Sequence, residues 1–205
     1  MRKYWVALSS IEEIGSSFIQ RLYHYFGDIE SAFNATDLSQ IEGLNIKKAE
    51  KYLRLRDKLD VDKIVAEVEN RGINYLTFDD EKYPRMLKNI DDPPSVIYYK
   101  GDLFGCNLDK TLAVVGSRRA TGYAREALTQ IISELNGTDI CIVSGLASGI
   151  DTTAHVSALD NNLKTVGVIA SGFDYTYPAA NKELYKRIEN GCGAVLSEYY
   201  PTFEP

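Results

Sequence analysis

Cysteine is scarce in this chain: there are three, Cys106, Cys141 and Cys192, and none forms a C-x-x-C pair. An odd number at wide spacing supports neither a disulfide framework nor a zinc site. It reads instead as three small buried hydrophobes in a reducing compartment. Long apolar runs are missing too, and no stretch approaches the ~20 residues that a membrane-spanning helix needs. The opening MRKYWVALSS holds two basic residues, but its apolar run is too short for a signal peptide. These absences point to a soluble, cytoplasmic protein. Basic residues are not in excess either, 23 against 29 acidic for a net charge of −6, which argues against a nonspecific nucleic-acid coat. What is present, 44% hydrophobic and 25% charged residues over 205 positions, describes a globular chain of one large or two small domains.

The charge is unevenly spread. Residues 1–60 hold nine basic and nine acidic side chains, so the deficit lies entirely in 61–205. Within 47–58, Lys47, Lys48, Lys51, Arg54, Arg56 and Lys58 face only Glu50 and Asp57, which makes a local basic stripe. This front segment reads as short helices. Ser9 and Ser10 before Glu12 and Glu13 suggest a helix start, followed by Ile14, Phe18, Leu22, Tyr25 and Phe26 at helical spacing up to Gly27. Further short helices are expected around 29–34 and 37–41. A longer one follows Gly43 and carries Ala49, Leu53 and Leu59. The stretch Leu38 to Ala49, with Gly43 at its turn, resembles the second half of a helix-hairpin-helix, whose exposed N–H groups grip phosphate without reading bases. The same lysines on a plain packing module would simply be solvated.

From 61 onward strands enter. A helix over 61–71, a strand over 73–78, a proline-punctuated loop from Tyr83 to Pro94 and a strand over 96–99 form a bridge. Then Leu112–Val115, Ile140–Val143, Thr165–Ala170 and Ala194–Leu196 alternate with helices near 122–136, 150–160 and 181–190. Near-continuous apolar strands separated by helices indicate a parallel sheet covered on both faces, a Rossmann-like architecture whose ligands sit at the carboxyl ends of the strands. The fold class is thus α/β, with a small all-helical SAM-like/helix-hairpin-helix domain over 1–75. A Rossmann-like domain over 76–205 follows, its bridging segment at 76–110.

Three strand-end loops invite an anion. In the first, Gly116 permits close approach, Ser117 and Thr121 offer hydroxyls, and Arg118 offers a fork for phosphate. It is neither G-x-G-x-x-G nor G-x-x-x-x-G-K-[ST], which disfavours an ordinary NAD enzyme and a Walker-type ATPase. The second is Ser144-Gly145-Leu146-Ala147-Ser148-Gly149-Ile150-Asp151. Here Asp151 is either a ligand contact or an ordinary stabiliser of the helix start, and His155 lies one turn further on. The third, Ser171-Gly172, leads through Tyr175 and Tyr177 to Asn181 and Lys182. Cradles with cations and aromatic rings suit a single strand held by backbone and stacking, and a mononucleotide would use the same groups. No nucleophile is placed for catalysis.

Taken in order, these motifs resemble the DNA-processing protein A family, also called Smf. The matching pieces are Val115–Thr121, Ser144–His155, Tyr177-Pro-Ala-Ala-Asn181 and Leu196-Ser-Glu-Tyr199, with the bridge Tyr83-Pro-Arg-Met-Leu87 ahead of them. The resemblance spans nearly the whole chain. It implies a cytoplasmic, non-enzymatic protein that binds single-stranded DNA in natural transformation and helps load the RecA recombinase, without metal or cofactor. It places DNA contacts at Gly116, Ser117, Arg118, Thr121, Ser144, Gly145, Gly149, Ser171 and Gly172, and proximity adds Lys182. Two departures stand out. Ser148 occupies a position where many family members are basic. The family's Phe-Pro-x-Arg-Asn-Arg segment does not follow Pro201–Pro205, so a truncated domain with a weakened or lost homodimer is expected. Two other readings remain. One is a Rossmann-like phosphoribohydrolase resembling lysine decarboxylases, whose P-G-G-x-G-T signature is absent here. The other is a protein-interaction piece that works through the helical domain.

Overall fold

The computed structural model describes residues 1–191 and 193–204, so Cys192 and Pro205 lie outside the description. The chain divides into two compact units, Met1–Ile97 and Tyr98–Pro205.

The first unit contains α1 (Arg2–Ser9), α2 (Ser16–Phe26), α3 (Ile29–Asn34), α4 (Ile46–Arg56), α5 (Val61–Asn70), β1 (Asn74–Thr77) and the one-turn α6 (Arg85–Lys88). Its core is built on the opening residues. Trp5, Val6, Ala7 and Leu8 are all fully buried, so the short apolar run at the N-terminus is a core helix. Sequence periodicity did not reveal α1, and Ser9 and Ser10 close it rather than open the next helix. Their hydroxyls donate to the Val6 and Ala7 carbonyls at 2.9 and 2.7 Å. Residues 37–41, expected as a helix, form turns instead, because the Asp37 carboxylate accepts from the Ser39 N–H at 2.8 Å and competes with helical bonding. α4 ends at Arg56, before Leu59.

The division at Ile97 falls 22 residues beyond the boundary expected from the helix-to-strand change. The bridge as far as Ile97 belongs to the helical unit, and 98–110 belong to the second. Phe78 packs against Trp5 and Tyr23, and the Ser95 N–H donates to the Ser16 hydroxyl at 3.0 Å. The Arg2 guanidinium holds the Tyr75 carbonyl and the Asp80 carboxylate.

The second unit holds β2 (Val96–Gly101, from Tyr98 on), β3 (Thr111–Ala113), α7 (Gly122–Ser133), β4 (Cys141–Ser144), α8 (Ile150–Asp160), β5 (Lys164–Ile169), α9 (Lys182–Glu189) and β6 (Gly193–Ser197). Its strands run in the order β2-β6-β5-β4-β3. The four from β3 to β6 are parallel, whereas β2 joins β6 antiparallel, Tyr98 opposite Ser197. Two apolar clusters hold the helices to the sheet. One joins Ile132, Ile142, Ala154, Ala158 and Leu163; the other joins Leu146, Ile169, Leu184, Tyr185, Ile188 and Val195. This is the expected Rossmann-like α/β arrangement, but its faces are not completely covered. β3 is an edge strand with every residue exposed, Val115 just after it is 85% exposed, and Val168 in β5 is 42% exposed.

Candidate functional site

The loops after β3, β4 and β5 are the three anion candidates, and hydrogen bonds knit them side by side. The Ile150 N–H at the start of α8 donates to the Ser117 carbonyl, and the Ser144 hydroxyl donates to the Val114 carbonyl at 2.7 Å. A Cβ on Gly149 would fall 2.2 Å from the Ser117 oxygen, and Gly149 has φ +85°, so only glycine lets these two loops touch. Asn181 makes the next tie. Its side-chain amide donates to the Leu146 carbonyl at 2.8 Å and to the Thr152 hydroxyl at 2.9 Å. Nothing in its type marked Asn181 as more than part of a motif, yet it clamps the third loop to the second and places Lys182 on the exposed start of α9.

The three loops are not equivalent in exposure or in hydrogen bonding. The second is self-satisfied. Thr152 N–H and its hydroxyl both donate to the Ala147 carbonyl, and the Asp151 carboxylate accepts from the Ala147 N–H. Asp151 is therefore tied to the loop ahead of its own helix, Ser144 is buried with its proton committed, and Gly149 is buried under the first loop. The third loop is filled by the chain itself. The Gly172 N–H donates to the Phe203 carbonyl at 2.8 Å, and a Cβ there would fall 2.2 Å from the Pro201 oxygen. Ser171 is buried, and its carbonyl accepts from the Ser197 hydroxyl. Ser144, Gly149, Ser171 and Gly172 thus sit where they shape the rim, not where a ligand reaches their side chains. Gly145 remains exposed.

The first loop is open. Gly116, Ser117, Arg118, Thr121 and Gly122 are all exposed. The Thr121 hydroxyl accepts from the Ala124 N–H and so caps α7, while the Ser117 hydroxyl accepts from the Arg119 N–H. Among the described residues the N–H groups of Gly116, Ser117, Arg118, Gly122 and Tyr123 have no partner. Unpaired amides at a helix start attract an anion through both hydrogen bonding and the helix dipole. The cations agree. Lys110, Lys186 and Arg187 pair with Asp139, Glu183 and Asp160, and Lys100 lies over the Phe173 ring. Among the described residues no hydrogen bond or ion pair engages the side chain of Arg118, Arg119, Arg125 or Lys182. Two features here escaped sequence reasoning: Arg125, one turn into α7, and Tyr123, whose ring is 82% exposed beside the free amides. Exposure of a large ring is invisible in sequence, where Tyr123 looks like any helix residue.

His155 is not part of this surface. It is fully buried, its Nδ1 is 2.7 Å from the Thr165 hydroxyl, and that hydroxyl donates to the Ile142 carbonyl at 2.9 Å. The Thr165 proton being spent, Nδ1 carries the ring proton and Nε2 is left buried without a partner among the described residues. Burial pushes the imidazole down to about 4, against a weaker upward pull from Asp151.

The basic stripe of the first unit is also largely committed. Arg56 is buried and donates to the Phe33 and Ala35 carbonyls at the C-terminal end of α3, Lys51 pairs with Glu13 at 3.3 Å, and Lys48 lies over the Phe18 ring. Gly43 turns with φ +69°, but its carbonyl accepts from Arg21. Lys47, Arg54 and Lys58 remain exposed.

No group of three or more His, Cys, Asp or Glu side chains that could hold a metal occurs among the described residues. No helix among them is long and apolar enough to cross a membrane.

A Rossmann-like sheet with one open, cation-fringed strand-end loop places this chain among the α/β proteins. A family model described as DNA recombination-mediator protein A matches residues 74–205, and the chain belongs to that family. The match begins at β1, close to the boundary read from the sequence. Protein Smf of Synechocystis sp. is 35% identical over 201 residues, which cover 96% of this chain and 50% of that protein. DNA processing protein DprA of Streptococcus pneumoniae is 44% identical over 126 residues, covering 62% and 44%. The chain therefore spans about half the length of these relatives. The X-ray structure of the S. pneumoniae protein superposes with a TM-score of 0.73 at 30% identity, covering 98% of this chain and 68% of that one. A Helicobacter pylori DprA structure, described by its single-stranded DNA binding mode, gives a TM-score of 0.57 at 30% identity over 65% of this chain and 58% of that one.

Proposed function

We propose that the second unit binds single-stranded DNA, holding phosphates in the loop Gly116–Tyr123. The chain then acts by binding, as a mediator of DNA uptake and recombination, and not by catalysis. The observation that carries this reading is the cluster of unpartnered amides with Arg118, Arg119 and Arg125 uncommitted around them, in a unit whose other surface cations mostly have partners. Family membership and the single-stranded DNA mode of the H. pylori relative support it. Tyr123 supplies what a free phosphate would not need, an exposed ring on which an unpaired base can stack. Gly116, Ser117, Arg118 and Thr121 are the contacts of this proposal, with Gly145 and Lys182 at its margin.

Binding of oligo-dT, followed by fluorescence anisotropy, should weaken steeply with salt because phosphate neutralisation releases counterions. Arg118→Ala should weaken it alike for all sequences and flatten the log–log salt slope by about 0.7. Salt-insensitive binding that survives this substitution would overturn the proposal. Release of free base from a nucleoside monophosphate would favour the phosphoribohydrolase reading instead. Loading of RecA belongs to the same proposal and rests on family membership. Capture of RecA by the chain, compared with capture of the oligonucleotide alone, tests it.

A further inference from the structure

The helical unit holds an apolar groove that the DNA reading does not use. It is a cavity of about 240 Å³ between the turns of 37–44 and one side of α4. Leu38, Ile41, Leu44, Ala49 and Leu53 form its walls, and Asp37 and Glu50, both exposed, complete the lining. The turns are held in place by polar contacts. The Asp37 carboxylate accepts from the Ser39 N–H at 2.8 Å, and the Gly43 carbonyl accepts from Arg21 of α2.

Helix geometry separates this groove from the basic stripe that is interleaved with it in sequence. At 3.6 residues per turn, α4 presents three faces. Tyr52 and Arg56 turn inward and are buried. Lys47, Lys51 and Arg54 recur at i, i+4 and i+7 on the second face. Ile46, Glu50 and Leu53 recur at the same spacing on the third, and all three line the groove. The cations therefore point about 120° away from it. Ile46 is 72% exposed and carries the apolar surface out to solvent. No hydrogen bond or ion pair among the described residues engages the side chain of Glu50, or that of Glu42, which is exposed beside Ile41 in the chain.

We propose that this groove docks a protein partner through an amphipathic segment that inserts a large apolar side chain flanked by lysine or arginine. The walls supply a pocket for the anchor, and anchors in such pockets carry most of an interface's energy. The uncommitted carboxylates select the flanking charge, since complementary charge at a rim steers the partner and like charge rejects it. The same carboxylates disfavour a phosphate backbone, so this face of the hairpin takes protein and not nucleic acid. The proposal does not depend on the loop Gly116–Tyr123.

A fluorescein-labelled synthetic helix of leucine and lysine, titrated against the 205-residue chain by anisotropy, tests it. The peptide should bind, and its leucine–glutamate counterpart should not. Ile46→Ser should weaken binding about tenfold by removing apolar contact. Glu50→Lys should weaken it about threefold or more. Both side chains are exposed, so Tm should hold in each variant. Glu134→Lys makes the same change of net charge at the end of α7 and should leave binding as it was, as should Arg118→Ala. A photoreactive group in place of one leucine should cross-link within 37–53. No binding, equal binding of the glutamate peptide, equal loss in Glu134→Lys and Glu50→Lys, or cross-links outside 37–53 would each overturn the proposal. Cross-linking of an iodouracil oligonucleotide to 37–53 would give the groove to nucleic acid and overturn it as well.

Discussion

At the residue scale the decisive property is what each polar group has already spent. Ser117 and Ser144 read alike in the sequence, both following an apolar strand, yet one is exposed and the other donates its proton to Val114 inside the sheet. Arg56 and Arg118 likewise differ in commitment: the Arg56 side chain satisfies two carbonyls at the C-terminal end of α3, and that of Arg118 satisfies none among the described residues. Tyr123 follows the same logic as an uncommitted ring. If an unpaired base stacks on it, Tyr123→Ala should cost about 1–3 kcal/mol of oligo-dT binding, and Tyr123→Phe should keep most of it. Titration with fluorescent oligonucleotide measures both, and equal loss in the two variants would mean that the hydroxyl matters instead. His155 gives a second residue-scale expectation. Its folded value of about 4 lies below the ordinary 6.5, so the unfolded chain binds a proton that the folded chain refuses. Stability must therefore be fully present above pH ~6.5 and fall as pH drops toward ~4, by about 3 kcal/mol from this group alone. Urea midpoints across that range should show the slope, and His155→Gln should remove this part of it.

Among elements, the first loop is the open one because its neighbours are closed. The amides of Ile150, Thr152 and Thr153 that open α8 donate to the Ser117, Ala147 and Gly149 carbonyls, and the segment Tyr200–Phe203 fills the third loop. α7 has only the Thr121 hydroxyl as a cap, so the amides before and within its first turn stay available. Glycines set the spacing between these elements. Gly116 lies against the Ile150 side chain, 2.7 Å from where its Cβ would be, and Gly149 lies under Ser117. Gly149→Ala imposes both a clash with backbone and a left-handed conformation. It should cost at least ~1–3 kcal/mol of stability and displace the Ser117–Arg118 backbone. A lowered Tm together with weaker oligo-dT binding is expected; unchanged values in both would show that the loops do not depend on this contact. The strand-helix alternation, and with it the carboxyl-end loops, was legible in the sequence because buried parallel strands are continuous apolar runs. α1 was not, because a helix buried through most of its length has no polar face to give a period.

For the molecule as a whole, the open flank beside β3 has consequences of its own. Leu112, Val115, Tyr123 and Ile131 are all exposed on β3, the loop after it and α7, and the strand presents unpaired backbone groups. Such an edge is a template for pairing with another chain. The 205-residue chain should therefore self-associate with rising concentration in sedimentation experiments, and Val115→Lys should reduce this without lowering Tm. A chain that stays monomeric at every concentration would show the flank to be inert. Sequence alone determined the alternation of strands and helices after residue 110, the Rossmann-like class, the position of the candidate loops and the family, because each rests on local periodicity or on short motifs in a fixed order. Tertiary structure alone decided which of three similar loops is open and which cations are free. It also drew the bridge as far as Ile97 into the helical unit. The physical reason is common to all three: whether a donor or a charge is available depends on partners distant in sequence, and a sequence names the groups without saying which of them have already been satisfied.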